Sequence, residues 1–254
     1  MLVIRREQME AFGLLGSTEY KDFMAAHLTE HFPVHAEVWS PETMLAVIEE
    51  GAAAARGHRL SRGRELCLYT DFRVILGAGF DTDPQLPFAG RILADASIRS
   101  PGERLDRLYD AVRNWLDAVV GRGQVFPLRP LSGLADFPLS RLETNLSAGI
   151  TKGILGEFRE IWPQKHRQAG EAALREMVDR GIEEAAGHGF TEPRAAGWWL
   201  ILRYMLGHRC AGDPQYPWLS GTLSDPGPKT PDQRFRLLHS KSKAALADVL
   251  RIAT

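Results

Sequence analysis

The chain has 254 residues with a formal net charge of −1, and 44% of its residues are hydrophobic. This composition is typical of a globular protein that buries one or two cores, and it excludes a disordered chain. Without an 18-residue apolar run, a signal-peptide pattern or a clustered basic stretch, the chain is expected to be cytoplasmic and to bind neither membranes nor nucleic acid. Two distant cysteines, Cys67 and Cys210, exclude a disulfide scaffold and a zinc ribbon.

The chain resembles itself after a shift of 130 positions. Residues 17–120 align with 147–250 without a gap, and about one aligned position in five is identical, against roughly 6% for unrelated chains of average composition. The pattern predicts copy 1 at 1–120, a Pro/Gly-containing linker at 121–146 and copy 2 at 147–254. The repeat motif comprises Gly57, His58, Arg73, Asp83 and Pro84, which match Gly187, His188, Arg203, Asp213 and Pro214.

The first two helices of each copy are predicted from their end signals. Ser17 and Ser147 are expected to cap the first helix, which closes at a proline step. The second helix is expected to stop at Gly57 or Gly187, each read as the left-handed glycine that closes a helix. The histidine that follows each glycine, His58 or His188, is interpreted as a partner of the free helix carbonyls.

The later helices carry stronger signals. A third helix, from Ser61 or Thr191, is apolar almost all round and is expected to be the buried centre of its copy. The last helix begins at a capping box, 100–103 or 230–233, with proline at its first position. The linker composition favours irregular packed chain over helix. Since no segment alternates with period two, the fold is predicted to be all-α, as two tandem helical bundles.

The segment RVILGAGFDTDP at 73–84 resembles the first motif of S-adenosylmethionine-dependent methyltransferases. In that motif a glycine-rich turn after a parallel strand lets the backbone approach the cofactor. A methyltransferase using Gly77, Gly79 and Asp81 is therefore the alternative function. The second copy has lost these glycines, the charged residues before them suit a helix, and no βαβ series follows, so the helical interpretation is favoured.

Two sets of side chains are candidates for a cation site. In the first set, Asp71, Asp81 and Asp83 could gather round a hard cation, but an aspartate before proline is typical of turn capping. Asp83 is therefore expected to cap its turn and to pair with Arg73 one helix back.

In the second set, His27, His31 and His35 recur every four residues, a spacing that suits metal ligands on one helix face. Pro33 interrupts that helix and the second copy lacks the histidines, so they are interpreted as surface residues. Cys67 is expected in the core, and Cys210 is expected in a loop, where it is a candidate for a reactive thiol that no neighbouring sequence signal supports. No nucleophile, base and orienting group stand together in one copy, so no catalytic residue, metal or cofactor is predicted.

The stretch from Gly57 to Asp95 resembles a family of bacterial helical proteins associated with type VI secretion gene clusters. The residues that carry the resemblance are LGAGFDTDPQLPF and RILADAS in copy 1, and LGHRCAGDPQYPW and TLSDPG in copy 2, which lacks Phe-Asp-Thr before Asp213. The opening MLVIRREQMEAF adds to it. The resemblance implies an accessory protein beside a secreted effector, either an immunity protein or a loading adaptor, and it supplies no catalytic residues.

Together these observations predict a non-enzymatic protein that binds a secreted effector or a secretion-system protein. Its contacts are expected at exposed aromatic residues that the two copies do not share. The candidates are Trp39, Trp115, Phe126 and Phe137. A small apolar ligand inside one bundle is a third possibility.

Overall fold

The structure is a computed structural model that describes residues 18–121, 128–147 and 149–253. Within these ranges the chain forms α-helices and one short 3-10 helix and no strand, so the all-α prediction is confirmed there. The helices of the first half are α1 Thr18–His31, α2 Pro33–Val38, α3 Pro41–Gly57, α4 Gly63–Leu76, α5 Pro87–Ala94 and α6 Pro101–Val119. Those of the remainder are α7 Leu128–Ala135, α8 Leu139–Asn145, α9 Ile150–Ile161, α10 Pro163–Ala169, α11 Glu171–Gly187, α12 Pro193–Leu206, α13 Pro217–Ser224 and α14 Pro231–Ala253, with the 3-10 helix at Cys210–Gly212.

Helices α3, α4 and α5 begin and end 130 residues before α11, α12 and α13. Proline is the first residue of eight helices in the described part of the chain, where its missing N–H costs no helical hydrogen bond. The predicted box at 230–233 is complete, since Gln233 N–H donates to Thr230 and Thr230 N–H donates to the Gln233 side chain. At Ser100 only the hydroxyl takes part, because the Glu103 carboxylate accepts from Arg107 instead.

The predicted helix stops at Gly57 and Gly187 are confirmed, but these glycines do not hold the left-handed conformation expected of them. Both glycines are helical, and the left-handed residue is Arg59 (φ 62°) in the first half and Gly189 (φ 82°) in the second. In each half the next residue, Leu60 or Phe190, is buried and its N–H donates to the carbonyl five residues back. This pattern is a Schellman motif, which needs the positive φ one residue after the histidine.

Each half has its own hydrophobic core built round one helix. Helix α4 is buried along nearly its whole length and packs Tyr69 and Phe72 against Phe80. Helix α12 plays the same part in the second core, where Trp198 and Trp199 are almost completely buried. The prediction that the helices expected to start near Ser61 and Thr191 are buried and central is therefore confirmed.

The described part of the linker differs from the expectation of irregular chain. It forms α7 and α8, and Leu134, Phe137, Leu142 and Leu146 are buried in the second core. Leu134 and Leu142 lie on the buried sides of α7 and α8, and Phe137 and Leu146 follow these helices in the chain. Ser147 caps no helix: its hydroxyl donates to the Thr144 carbonyl, and α9 begins three residues later.

The two halves are joined by exchanged contacts. Helix α2 packs on α14, and α10 packs on α6. Ala78 N–H donates to Asp213 Oδ2 at 2.7 Å, while His208 N–H donates to Asp83 Oδ2 at 2.9 Å. Each residue of one contact lies 130 positions from its equivalent in the other. We call this region, where the turns after α4 and α12 meet, the seam.

Two glutamines extend the seam in the same reciprocal way. Gln215 Nε2 donates to Arg73 O at 3.0 Å, and Gln85 Nε2 donates to Arg203 O at 3.4 Å. Among the described residues no helix has the length and apolar character needed to cross a membrane.

Candidate functional site

The repeat-motif aspartates act in the seam rather than on a ligand. Asp83 and Asp213 each accept the backbone N–H of the glutamine two residues on, so the predicted turn-capping role is confirmed. Burial raises the pKa of Asp213, and backbone hydrogen bonds oppose the rise. At Asp83 burial acts in the same direction, but the hydrogen bonds that include His208 outweigh it and lower the pKa. Pro84 and Pro214 follow in the same turns.

The motif arginines do not pair with these aspartates, so that expectation is wrong. Arg73 donates to the Ala78 carbonyl at 2.7 Å and reaches Glu50 at 3.5 Å. Arg203, which is 1% exposed, donates to Glu184. The aspartates instead accept backbone N–H groups of the opposite half, because the turns of the two halves face each other.

A cluster of three polar side chains is buried between α1 and α4, and we call it the buried cluster. His27 Nε2 lies 3.0 Å from Asp71 Oδ1 and 3.2 Å from Oδ2. The Cys67 sulfur completes the group, with all three ligand-type atoms within 4.8 Å of one another and all three residues buried. Burial raises the pKa of Asp71, although the hydrogen bond and charge of His27 act to lower it. Burial also raises the pKa of the Cys67 thiol, and the nearby charge of Asp71 adds to this rise.

The buried cluster corrects the view that the three histidines lie on the surface. His27 is 7% exposed, whereas His31 stays exposed with its ring centroid 4.5 Å from that of His27. His35 lies apart, between the rings of Phe32 and Trp39. Two weak sequence signals were available, the four-residue spacings 27–31 and 67–71, but nothing in the sequence shows that these two helix faces meet.

A second polar group lies beside the seam. His58 Nε2 lies 2.7 Å from Asp81 Oδ2, and Tyr69 Oη donates to the same oxygen at 2.9 Å. Burial acts to raise the pKa of Asp81, and the hydrogen bonds from His58 and Tyr69 outweigh it, so the pKa is lowered. His58 therefore ends α3 through its backbone and orients Asp81 through its side chain.

The next residue along the chain also meets the opposite half. Thr82 Oγ1 lies 3.3 Å from His208 Nε2, across the seam. The threonine hydroxyl also donates to the Gly79 carbonyl at 3.2 Å. This second bond occupies the hydroxyl proton that a catalytic base would need to take, so the pair is a structural contact in this arrangement.

The methyltransferase interpretation fails at its structural premise. Residues 63–76 form a helix, so the turn at Gly77 and Gly79 follows no parallel strand. A Cβ atom on Gly77 (φ +95°) would lie 2.7 Å from the Leu206 carbonyl oxygen, and one on Gly79 would lie 2.5 Å from Arg209 Cδ. The two glycines therefore allow the backbone and side chains of the second half to come close to this turn. In the methyltransferase interpretation the cofactor would occupy that space.

The chain matches no family model, no curated protein and no solved structure. Its own residues are therefore the evidence for its function.

The predicted aromatic contacts separate into three outcomes. Trp39 and Trp115 are half-buried against the first core. Phe137 is 6% exposed and packs on Trp198, so its expected role as an exposed anchor is wrong, because the linker folds into the second core. Phe126 lies outside the described residues. Cys210 is also buried rather than accessible, and burial raises the pKa of its thiol to about 12.

Large apolar side chains remain exposed at three positions of the described chain, Val38, Leu45 and Ile75. Val38 is the last residue of α2 and directly precedes Trp39, and Leu45 is the fifth residue of α3. Two clefts are also present, of about 340 Å³ beside Phe137 and Trp162 and about 280 Å³ between α1 and α3. The small-ligand possibility stays a prediction.

Proposed function

We propose that this protein is a non-enzymatic binding protein that holds a secreted effector or a component of its delivery machinery in the cytoplasm. Its role would be that of an immunity protein or a loading adaptor. The resemblance of LGAGFDTDPQLPF and RILADAS to the type VI secretion-associated family supports this proposal. The structure adds support by giving the most distinctive part of that motif, Gly77 to Asp83, a role in joining the two halves.

The observation that carries the proposal is the exposed apolar stretch round Trp39. Val38 is 44% exposed and Leu45 is 40% exposed, and Ile75 on α4 is the third large apolar side chain that stays exposed in the described chain. The residues 130 positions later are Gln168, Ala169 and Arg175. Exposed apolar groups beside a half-buried tryptophan are typical of protein-binding surfaces. We assign this stretch, Val38, Trp39 and Leu45, as the partner-binding surface.

The duplication is part of the proposal. We infer that copy 1 at 1–120 and copy 2 at 147–254 are homologous bundles joined by the segment 121–146. The shared helix bounds and the reciprocal hydrogen bonds of the seam support this inference. The exchanged contacts have the form of a two-fold interface, in which residue i meets j and j meets i. Positions shared by both copies then maintain the seam, and binding depends on positions that differ.

A pull-down from the protein's own host tests the binding role. The tagged full chain, a Leu45→Glu variant and a Gln168→Glu control are expressed at equal levels, and retained proteins are identified by mass spectrometry. Gln168 is exposed at the equivalent region of the second half, so the control adds the same single negative charge. A stoichiometric secretion-system or toxin-like partner is expected with wild type and control, with at least a tenfold loss in Leu45→Glu. Equal retention by all three, or no partner, contradicts the proposal.

Co-expression then separates the two roles. An immunity protein restores growth to cells that produce the captured effector inside the cytoplasm. An adaptor leaves growth unchanged and is needed for the effector to appear outside the cell. If neither growth nor secretion responds to the protein, the accessory role is wrong even where the two proteins bind.

A further inference from the structure

We propose that His27, Cys67 and Asp71 form a binding site for a transition-metal ion of the zinc type, which fastens α1 to α4. Each helix presents two ligand-type residues four positions apart, His27 and His31 on α1 and Cys67 and Asp71 on α4. Residues at that spacing lie on one face of a helix, and here the two faces meet. Facing pairs of this kind are a simple way for a helical bundle to surround a metal.

The distances suit a metal without rearrangement of the backbone. Zinc lies about 2.0–2.3 Å from its nitrogen, oxygen and sulfur ligands, so tetrahedral ligands lie about 3.3–3.8 Å apart. His27 and Asp71 already lie 3.0 Å apart, and all three ligand-type atoms lie within 4.8 Å of one another. The remaining difference of about 1 Å is on the scale of side-chain adjustment rather than backbone movement. His31, with its ring beside that of His27 at the exposed edge, is the candidate for the fourth position.

The donor set selects the class of metal. A thiolate and an imidazole favour zinc, copper(I), iron or cobalt, while magnesium and calcium require oxygen ligands. The carboxylate adds negative charge to a site where a buried ion otherwise has no solvation. The cluster therefore fits a borderline-soft divalent ion better than a hard one.

The second half shows what the same place looks like without a metal site. The positions equivalent to the three ligands hold Glu157, Gly197 and Ile201. Glu157 forms an ion pair with Arg141 at 2.8 Å and accepts a hydrogen bond from Asn145 at 2.5 Å, both residues of α8, and Gly197 leaves room for Leu146. Holding these helices together thus requires neither a thiol nor a buried histidine. A purely structural carboxylate–imidazole pair would explain His27 and Asp71, but it does not use the buried thiol that lies within 4.8 Å of both.

Cobalt(II) titration of the tag-free full chain tests the site. The protein is stripped with a chelator, and Co²⁺ alone is added while absorption is recorded. The expected result is one equivalent bound, with thiolate-to-cobalt charge-transfer absorption in the near ultraviolet and the visible bands of a tetrahedral ion, both removed by Zn²⁺. Cys67→Ser is expected to abolish the charge-transfer absorption, and Cys210→Ser, the matched change at the other buried cysteine, is expected to keep it.

Variants at the other proposed ligands are expected to differ in how much they weaken cobalt binding. His27→Gln and Asp71→Asn are expected to weaken cobalt binding at least tenfold, and His31→Gln, at the exposed edge, less than tenfold. A wild-type chain without the charge-transfer absorption overturns the proposal, as does equal absorption in Cys67→Ser. Circular dichroism checks that each variant is helical.

A second measurement needs no variant and so keeps the proposal falsifiable if the substitutions unfold the chain. Because a metal that binds only the folded state stabilises it by mass action, Zn²⁺ is expected to raise the thermal midpoint of wild type by about 5 °C over the chelated protein. An identical midpoint with zinc and with chelator overturns the site. Neither measurement depends on the binding partner, so failure here leaves the proposed function standing, and the reverse also holds.

Discussion

The two halves of the chain have helices that begin and end at corresponding positions, but the side chains buried inside the two halves differ in chemistry. In the first half, polar side chains are buried together at His27 and Asp71, and Tyr69 donates to Asp81 beside the seam. The equivalents of Tyr69, Asp71 and Asp81 are tryptophan, isoleucine and alanine. The seam, in contrast, repeats Gly77, Asp83 and Gln85 as Gly207, Asp213 and Gln215. Its other positions differ, because Ala78 and His208 reach the opposite aspartate through the backbone N–H that every residue except proline has. The seam therefore restricts the residues whose side chain or positive φ it uses, while each core has only to fill its own space.

The second half has a buried polar group of its own. Lys165 is 7% exposed, and its Nζ lies 5.3 Å from the centroid of the Trp162 ring and 5.0 Å from that of Tyr204. It donates to the Tyr204 carbonyl, and burial lowers its pKa to about 8. The first half has His35 at this position. Burying an ammonium group costs stability, and the carbonyl and two aromatic faces recover only part of this cost.

The largest effect is expected where the halves are most alike. Gly77 and Gly207 both have strongly positive φ, at 95° and 97°, but a Cβ on Gly77 meets Leu206 O at 2.7 Å and one on Gly207 meets Leu76 O at 3.4 Å. Both lie in a backbone region almost restricted to glycine. Gly77→Ala is expected to lower the free energy of unfolding by about 4 kcal/mol and Gly207→Ala by about 2 kcal/mol. Urea unfolding measures both losses, and equal losses would show that the two sides of the seam tolerate an added Cβ atom equally.

The buried lysine gives the next effect, with a sign fixed by linkage. Because the pKa of Lys165 is about 8 in the folded chain and 10.5 for an unperturbed lysine, the unfolded chain binds more protons between these values, and stability rises with pH there. The penalty is fully present below pH 8, so Lys165→Met is expected to stabilise the protein at pH 7 by about 3 kcal/mol. The gain should shrink as pH rises to about 10.5. Denaturant unfolding across pH tests this, with exposed Lys152→Met as the control that should show no such trend.

The smallest effect is expected when the left-handed residues after the two helices, Arg59 and Gly189, are exchanged for each other. Arg59 holds a left-handed conformation that Gly189 holds without steric cost in the second half. Arg59→Gly is expected to stabilise the protein by about 0.5–1 kcal/mol, and Gly189→Arg to destabilise it by a similar amount. Thermal unfolding of the two variants and of the double exchange measures this. If Arg59→Gly destabilises, the arginine side chain makes a contribution that its exposed position does not suggest.

Much of the secondary structure was determined by the sequence alone, because helix ends depend on nearby residues. Ser100, Thr230 and the prolines that follow them fix where α6 and α14 begin. Helices α4 and α12 carry apolar residues on nearly every side, so the sequence alone predicts that both are buried. The helix ends at Gly57 and Gly187 were predicted correctly, but the left-handed residues, Arg59 and Gly189, lie two positions later than expected. A Schellman motif depends on which later residue can bury itself, not on the first available glycine.

What only the tertiary structure decided is which faces meet. Asp83 takes its partner from a residue 125 positions away, and His27 and Asp71 are 44 positions apart. The fold of the described linker was missed for the same reason, because its apolar residues form helices against a core that lies far along the chain. Local hydrogen bonds form each helix, but its orientation is selected by the burial of apolar surface over the whole molecule. The buried cluster and the seam exist only through that selection.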